Sequence, residues 1–274
     1  MQLTIMYNTV FYFIIYSVVG WILESIYRSI CDKKLINSGF MYGPYCPIYG
    51  FGAIIMIFVL QNLKTNITLL FIGSFVLLSL WEYMVGVILE KVYNTKYWDY
   101  SNHRINIQGR VCLANSIYWG ILGVIFTLII HPFVIKMTAL MPVNILKYID
   151  ISVLLIMIVD LIISSVKVNK IARNIQEIKN LGEKILSKLK DMPQAKIANQ
   201  KKKLKEHELA KLQLRYNKLK ITLYKQLTRM KKAFPTMQSE TINKFLSEKI
   251  DTKELKEKIK ELKHKLERNK NKEE

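Results

Sequence analysis

What most constrains this chain is where its charges are missing. Met1–Leu23, Leu35–Leu63 and Thr65–Trp81 contain no Asp, Glu, Lys or Arg, and Val111–Ile135 has only His131. A helix needs about 20 apolar residues to cross a hydrocarbon core about 30 Å thick. The runs predict five spans: Tyr7–Ile30, Pro47–Gln61, Leu69–Leu89, Leu113–Ile130 and Ile149–Val166. The second is short, so it thins the bilayer or starts inside an interfacial loop. No basic segment precedes the first run and no small-residue cleavage site follows it, so a cleavable signal peptide is not expected.

Composition sharpens the division. Residues 1–166 carry ten Lys/Arg and seven Asp/Glu, whereas residues 167–274 carry thirty-one and fourteen. The chain therefore joins a nearly neutral membrane domain (1–166) to a basic tail (167–274), and averages over the whole sequence mislead. The predicted fold class is all-α, a polytopic helix bundle followed by a coiled-coil tail. Arg28, Lys33, Lys34, Lys91, Lys96, Arg104 and Arg110 fall on one side of the five-span topology, and Lys64, Lys136 and Lys147 on the other. By the positive-inside rule the N-terminus is outside and the tail is cytoplasmic.

In the tail, Ile171, Ile175, Ile178, Ile185, Leu189 and Met192 follow heptad spacing, with Gly182 in the remaining seam position. A second register runs Leu209, Leu212, Tyr216, Leu219, Leu223, Gln226, Met230, and a third Leu255, Ile259, Leu262, Leu266. Alternating threes and fours define a coiled-coil seam. Pro193 and Pro235 divide the tail into three helices. The first two are expected to form an antiparallel hairpin with Pro193 near its tip. Such a tail suits a coiled-coil partner or a second copy, or it is a solvated spacer; its charge also suits anionic headgroups. No nucleic-acid recognition signature is present, so no nucleic-acid partner is expected.

Glu24, Glu82 and Asp160 lie inside the apolar spans. Charge inside a bilayer is costly, so each needs a partner or a wet cavity. Glu24 and Arg28 lie at i, i+4 and can satisfy each other. Glu82 and Asp160 have no Lys or Arg at their depth; Asn115, Ser116, tyrosines or loop arginines folding inward are candidate partners. One reading is interhelical hydrogen bonding alone. The sharper one is a polar cavity with Glu82 at its floor.

Two connections supply the rest of that candidate site. "NSGFMYGPYCPIYGFG", Asn37–Gly52, has no charge but four glycines, two prolines and three tyrosines. Non-helical backbone at membrane depth is tolerated only inside protein or along a cavity. Asn37–Gly50 is expected to fold back into the bundle, with Asn37, Tyr42, Gly43, Pro44 and Pro47 facing the acids; the alternative is an interfacial loop anchored by tyrosines. "KYWDYSNHRINIQGRVCL", Lys96–Leu113, adds Trp98, Asp99, Arg104, Asn106, Gly109 and Arg110, and Glu90 lies eight residues beyond Glu82. Asp99 and His103 can ligate a metal or act as acid and base, but a solvated loop is the plainer reading. Arg104 and Arg110 suit lipid phosphate or simply obey the positive-inside rule. Cys31, Cys46 and Cys112 show no metal-ligand spacing. No metal or cofactor is expected.

Taken together, "GWILESIYRSI", the first loop, "WEYMVGVILEKVY", "WDYSNHRINIQGRVCL" and "SIYWGILG" resemble the bacterial CmpB-like membrane proteins, classed as ABC-transporter type IV, over about Val19–Gly123. The family's first loop reads Asn-Arg-Gly-Phe, and here Ser38 stands in place of the arginine. The resemblance implies a multi-pass protein of the bacterial plasma membrane and a permease-like role; it supplies no substrate. The sequence contains no GxxxxGK[ST], so a permease of this kind needs a separate ATPase subunit. The competing readings are a scaffold or sensor recruiting partners through the tail and, last, an intramembrane enzyme. No nucleophile-and-base arrangement supports the enzyme.

Overall fold

The computed structural model describes residues 2–190, 199–247 and 252–270. Among the described residues the fold is all-α apart from one hairpin of two-residue strands and an isolated bridge between Lys96 and Gln238. Its helices are α1 (Gln2–Asp32), α2 (Pro47–Leu60), α3 (Ile67–Tyr93), α4 (Leu113–Ile125), α5 (His131–Ala139), α6 (Val143–Lys190), α7 (Asn199–Ala233), α8 (Glu240–Ser247) and α9 (Thr252–Lys270). Strands β1 (Asn106–Ile107) and β2 (Val111–Cys112) pair antiparallel within the loop between α3 and α4. Four stretches are long and apolar enough to cross a membrane: Met6–Asp32, Ile67–Tyr93, Leu113–Ala139 and Val143–Lys188. Pro47–Leu63 is a shorter apolar helix.

The chain forms two compact units. One comprises Met1–Val166 together with Met230–Ser239; the other comprises Lys167–Arg229 with Glu240–Glu274. In the first, α3 and α4 lie antiparallel along small residues. Ser79 Oγ donates to Ser116 Oγ (2.7 Å), and a Cβ built on Gly123 would lie 2.1 Å from Ser74 Oγ. Tyr16, Ala53, Met56, Leu70, Leu78 and Phe126 are buried together, drawing on α1 to α3 and the turn after α4. A second cluster joins Ile14 of α1, Met41 and Tyr45 of the first loop, and Met157 of α6.

The stretch Leu113–Ala139 is longer than the expected Leu113–Ile130, because the helix survives Pro132. A π-helical turn, Phe126–Ile130, precedes it, and the His131 N–H bonds to Phe126 O. The wider turn accommodates a proline, which brings no N–H and would crowd a regular helix. The last apolar stretch is likewise not confined to Ile149–Val166. One helix runs from Val143 to Lys190, because nothing between Val166 and Lys190 breaks it.

In the second unit, Ile171, Ile178 and Leu181 of α6 are buried, as are Leu209, Leu223 and Leu227 of α7. Glu177 pairs with Arg215 and Lys188 with Glu208, so index rises on one helix as it falls on the other, and the two run antiparallel. Leu181 is buried, while Gly182 next to it faces the Tyr216 ring. The expected tip at Pro193 lies outside the described residues. Pro235 ends α7 as anticipated, but α8 then precedes α9 as a separate short helix.

Candidate functional site

The first loop folds back along α1. Ser29 Oγ accepts from Ile36 N (3.0 Å), Ser25 Oγ from Ser38 N (3.2 Å), and Ser17 O from Cys46 N (2.8 Å). From Ser17 to Asp32, where α1 ends, is about 22 Å at a rise of about 1.5 Å per residue. The loop therefore travels most of that distance beside α1 before α2 begins, which is why α2 has only 14 residues. Ser25 and Ser29, four apart, share one helix face and accept with their hydroxyls, while Ser17 contributes its carbonyl. That pair was a readable sign in the sequence, and it went unread. Ser38, which replaces the family's arginine, is fully buried against this rail, where a charged side chain would be costly.

Asp160 holds the far end of the loop. Its carboxylate accepts from Tyr42 N (3.0 Å), Gly43 N (2.7 Å), Tyr45 O–H (3.0 Å) and Ser164 Oγ (3.2 Å). Burial, and then the Asp160 charge, push the Tyr45 phenol up to about 12, so it stays a donor. Gly43 has no room for a side chain, since a Cβ would lie 2.3 Å from the Tyr45 ring. Pro44 follows within the same turn, and Pro47 opens α2, where its missing N–H costs nothing. Asn37 accepts from Trp21 Nε1 (2.6 Å) and donates to Tyr42 O (2.9 Å), which staples the turn.

Glu82 is 6% exposed and carries no cationic partner. Three donors converge on it: Tyr100 O–H (3.2 Å) and Asn115 Nδ2 (2.8 Å) on Oε1, and Trp119 Nε1 (2.9 Å) on Oε2. Glu24 accepts from Tyr49 O–H (2.8 Å), and the Tyr49 ring lies 6.0 Å from that of Trp119. Glu24, Tyr49, Trp119 and Glu82 thus form one continuous row across α1, α2, α4 and α3. Tyr100, raised by burial and then by Glu82, remains a neutral donor at its end. The sequence pointed to Asn115 as a partner of Glu82; Tyr49, Tyr100 and Trp119 were not singled out.

Arg28 does not serve Glu24. It pairs instead with Asp32 (3.4 Å), one turn further along α1. Glu90 and Arg110 form a separate ion pair (2.6 Å), and Trp98 donates to Arg110 O (2.9 Å). These three belong to the support of the second loop. There Asp99 accepts from Ser101 N and Oγ, and the Gly109 N–H bonds to Asn106 Oδ1. Gly109 has φ +70°, and a Cβ on it would lie 2.3 Å from Asp99 Oδ1, so the hairpin turn requires glycine. His103 packs edge-on against Tyr100, and Arg104 is exposed. Asp99 and His103 have these separate partners and do not form a joint acid–base pair.

The family model described as "Putative ABC-transporter type IV" matches residues 11–165. This extends beyond the loops that carry the resembling motifs and takes in the first half of α6, including Asp160. No curated protein and no solved structure matches the chain. With more than half its length matched and its apolar helices in place, the chain belongs to the ABC-transporter type IV family and is a multi-pass membrane protein.

Proposed function

We propose that the chain is the permease-like subunit of a transporter whose ATPase is a separate polypeptide, and that Glu24 and Glu82 handle a positive charge, either a coupling proton or the cationic group of a cargo. One observation carries this reading. Two carboxylates within the apolar bundle are linked through Tyr49 and Trp119, with only neutral donors on them. Carboxylates walled by aromatic faces suit a cation, and tyrosine hydroxyls can rotate away to admit one. In this reading α2 is a fifth, short span and Asn37–Cys46 is re-entrant. Residues 1–166 are the membrane domain, residues 167–274 are a cytoplasmic coiled-coil tail, and the N-terminus faces outward across a bacterial plasma membrane.

The test of the acid pair is thermal stability of the purified chain in mild detergent, titrated with protons and with inorganic and organic monovalent cations. Stabilisation that disappears in Glu82→Gln and Glu24→Gln supports the proposal; identical responses in wild type and variants remove it. Co-purification of an ATPase chain from membranes tests the subunit role. Impermeant labelling of Lys211→Cys in intact cells would overturn the orientation.

The alternative is a scaffold recruiting partners through the tail, favoured by the antiparallel helices and basic charge of residues 167–229. Function retained after deletion of the tail would count against it.

A further inference from the structure

A short piece of the tail sequence is built into the membrane-domain unit. α7 ends at Ala233, and "FPTMQ" turns across the second loop before α8 begins. Gln238 and Lys96 exchange two backbone hydrogen bonds (2.8 and 3.0 Å), as in a single antiparallel bridge. Thr236 Oγ1 accepts from Asp99 N (3.2 Å), and Lys231 Nζ donates to Met237 O (2.6 Å). Met237 is completely buried.

This strap grips three of four successive residues of the loop. Lys96, Tyr97 and Asp99 meet it. Between and beyond them, Trp98 donates to Arg110 O and Tyr100 donates to Glu82. An aromatic row extends the grip: Phe234 lies 5.0 Å from Tyr97, and Tyr97 lies 5.8 Å from Phe40 of the first loop. Phe40 immediately precedes Met41 and the Asp160-bound turn. One hydrophobic side chain of the strap therefore bears on both loops.

The grip contains a built-in weakness. Tyr97 is 2% exposed, and its hydroxyl is buried without a hydrogen-bond partner. A buried unsatisfied hydroxyl destabilises the state that buries it, so this contact holds less firmly than it would with phenylalanine at 97.

We propose that residues 233–238 form a detachable latch on the second loop, through which the tail helices set whether Tyr100 stays on Glu82. α7 and α8 are joined directly to the latch, so a load on either is transmitted to it by the chain itself. A partner or ATPase that engages the tail would release the loop and uncover Glu82. This deepens the proposed function and rests on Glu82 being the working acid, whereas the latch itself stands on geometry.

The test uses the full chain in detergent, with amide hydrogen exchange over residues 93–100 and 233–240 and modification of Glu82 by a hydrophobic carbodiimide. Met237→Asp and, as the milder change, Phe234→Ala should speed exchange in both segments by about tenfold or more, the scale of local opening, and should raise Glu82 modification while leaving Asp160 unchanged. Tyr97→Phe removes the unpartnered hydroxyl and should slow exchange and lower modification. Unchanged exchange at residues 93–100 in both loosening variants, or faster exchange in Tyr97→Phe, overturns the latch. Faster exchange with unchanged Glu82 modification overturns its control of Glu82, and leaves the acid-pair reading to be judged by the cation titration.

Discussion

Three acids of the membrane-domain bundle and three of the tail solve the same problem in opposite ways. Glu24, Glu82 and Asp160 are satisfied by tyrosine and serine hydroxyls, tryptophan and asparagine N–H groups and loop amides, with no cation on any of the three. Glu177, Glu208 and Glu254 in the tail each pair with a Lys or Arg, largely in the open. A neutral donor costs less to bury than an ammonium or guanidinium, so a dry bundle collects donors. The consequence is unequal sensitivity. Removing a bundle acid strands several buried donors, whereas removing a tail partner strands a group that water reaches.

The largest expected effect is therefore at Asp160. Asp160→Leu takes this acceptor from Gly43 N and the buried Tyr45 hydroxyl, and also from Tyr42 N, which water reaches. At about 1–3 kcal/mol for each buried unsatisfied group, the first loop should detach from α6. Melting in detergent should show a large loss, and limited proteolysis should open at residues 37–46. An Asp160→Leu protein that melts like wild type would break the comparison at its strongest point.

Gly43→Val attacks the same turn through volume. The new side chain enters the Tyr45 ring, so stability should fall by about 1–3 kcal/mol, the usual range for overpacking, and Tyr45→Ala in the same chain should restore part of it. Gly73→Ala is the control. Its Cβ would approach only the ends of Leu60 (2.9 Å) and Leu63 (3.3 Å), which are flexible and can move aside. A Gly73→Ala loss as large as that of Gly43→Val would mean general crowding rather than a defined turn.

Glu82→Gln sharpens the comparison further, because glutamine cannot satisfy all three donors. Its oxygen can face Tyr100 and Asn115, but its NH₂ then meets Trp119 Nε1, donor against donor. The expected loss is about 1–3 kcal/mol by the cost of unpaired buried groups. Trp119→Phe removes the conflicting donor and should return part of it in the double variant. Additive losses would show that Glu82 and Trp119 act independently.

How much of this was legible depends on the kind of signal. Apolar runs located the helices because a bilayer-length run is a strong constraint, and the charge-free Gly/Pro loop drew attention because its composition is unusual for a connection between spans. Its rail was missed because Ser25 and Ser29 are common residues whose meaning lies in their spacing. Arg28 was assigned to Glu24 because both Glu24 and Asp32 lie four residues from it, and spacing alone cannot rank them. Tyr49, Tyr100 and Trp119 come from three separate segments, so no local pattern joins them to the acids. The strap at 233–238 was invisible for the same reason: a proline after a heptad reads as a break, not as a contact with a loop more than a hundred residues earlier.

The thiols offer a smaller, chemical contrast. Burial, and then Glu24, push the Cys46 thiol up to about 12, whereas Cys31 is exposed. The thiolate is the reactive form, and burial holds Cys46 as the neutral thiol. A maleimide added to the detergent-solubilised chain should label Cys31 and spare Cys46. Asp160→Leu, by freeing the loop, should make Cys46 label as well. Equal labelling of both thiols in wild type would mean that the loop is not packed against α1.

The smallest effect is expected in the tail. Arg215→Ala removes the partner of Glu177, but Arg215 is 69% exposed and Glu177 37% exposed. An exposed pair gains little Coulomb energy in water and costs side-chain entropy to hold, so it contributes about 0.2–1 kcal/mol. The loss should shrink further between low and high salt, because surface charges are screened within about 10 Å at 0.1 M. The buried tail residues Leu223 and Leu227, both 0% exposed, set the scale on the other side: Leu227→Ala should cost about 2–5 kcal/mol, and salt should not alter it. Helical content and melting of the full chain, followed by circular dichroism at two ionic strengths, would separate the two. If Arg215→Ala matched Leu227→Ala in size, or if its effect ignored salt, the tail would depend on buried polar contacts as the bundle does, and the contrast between the two regions would fail.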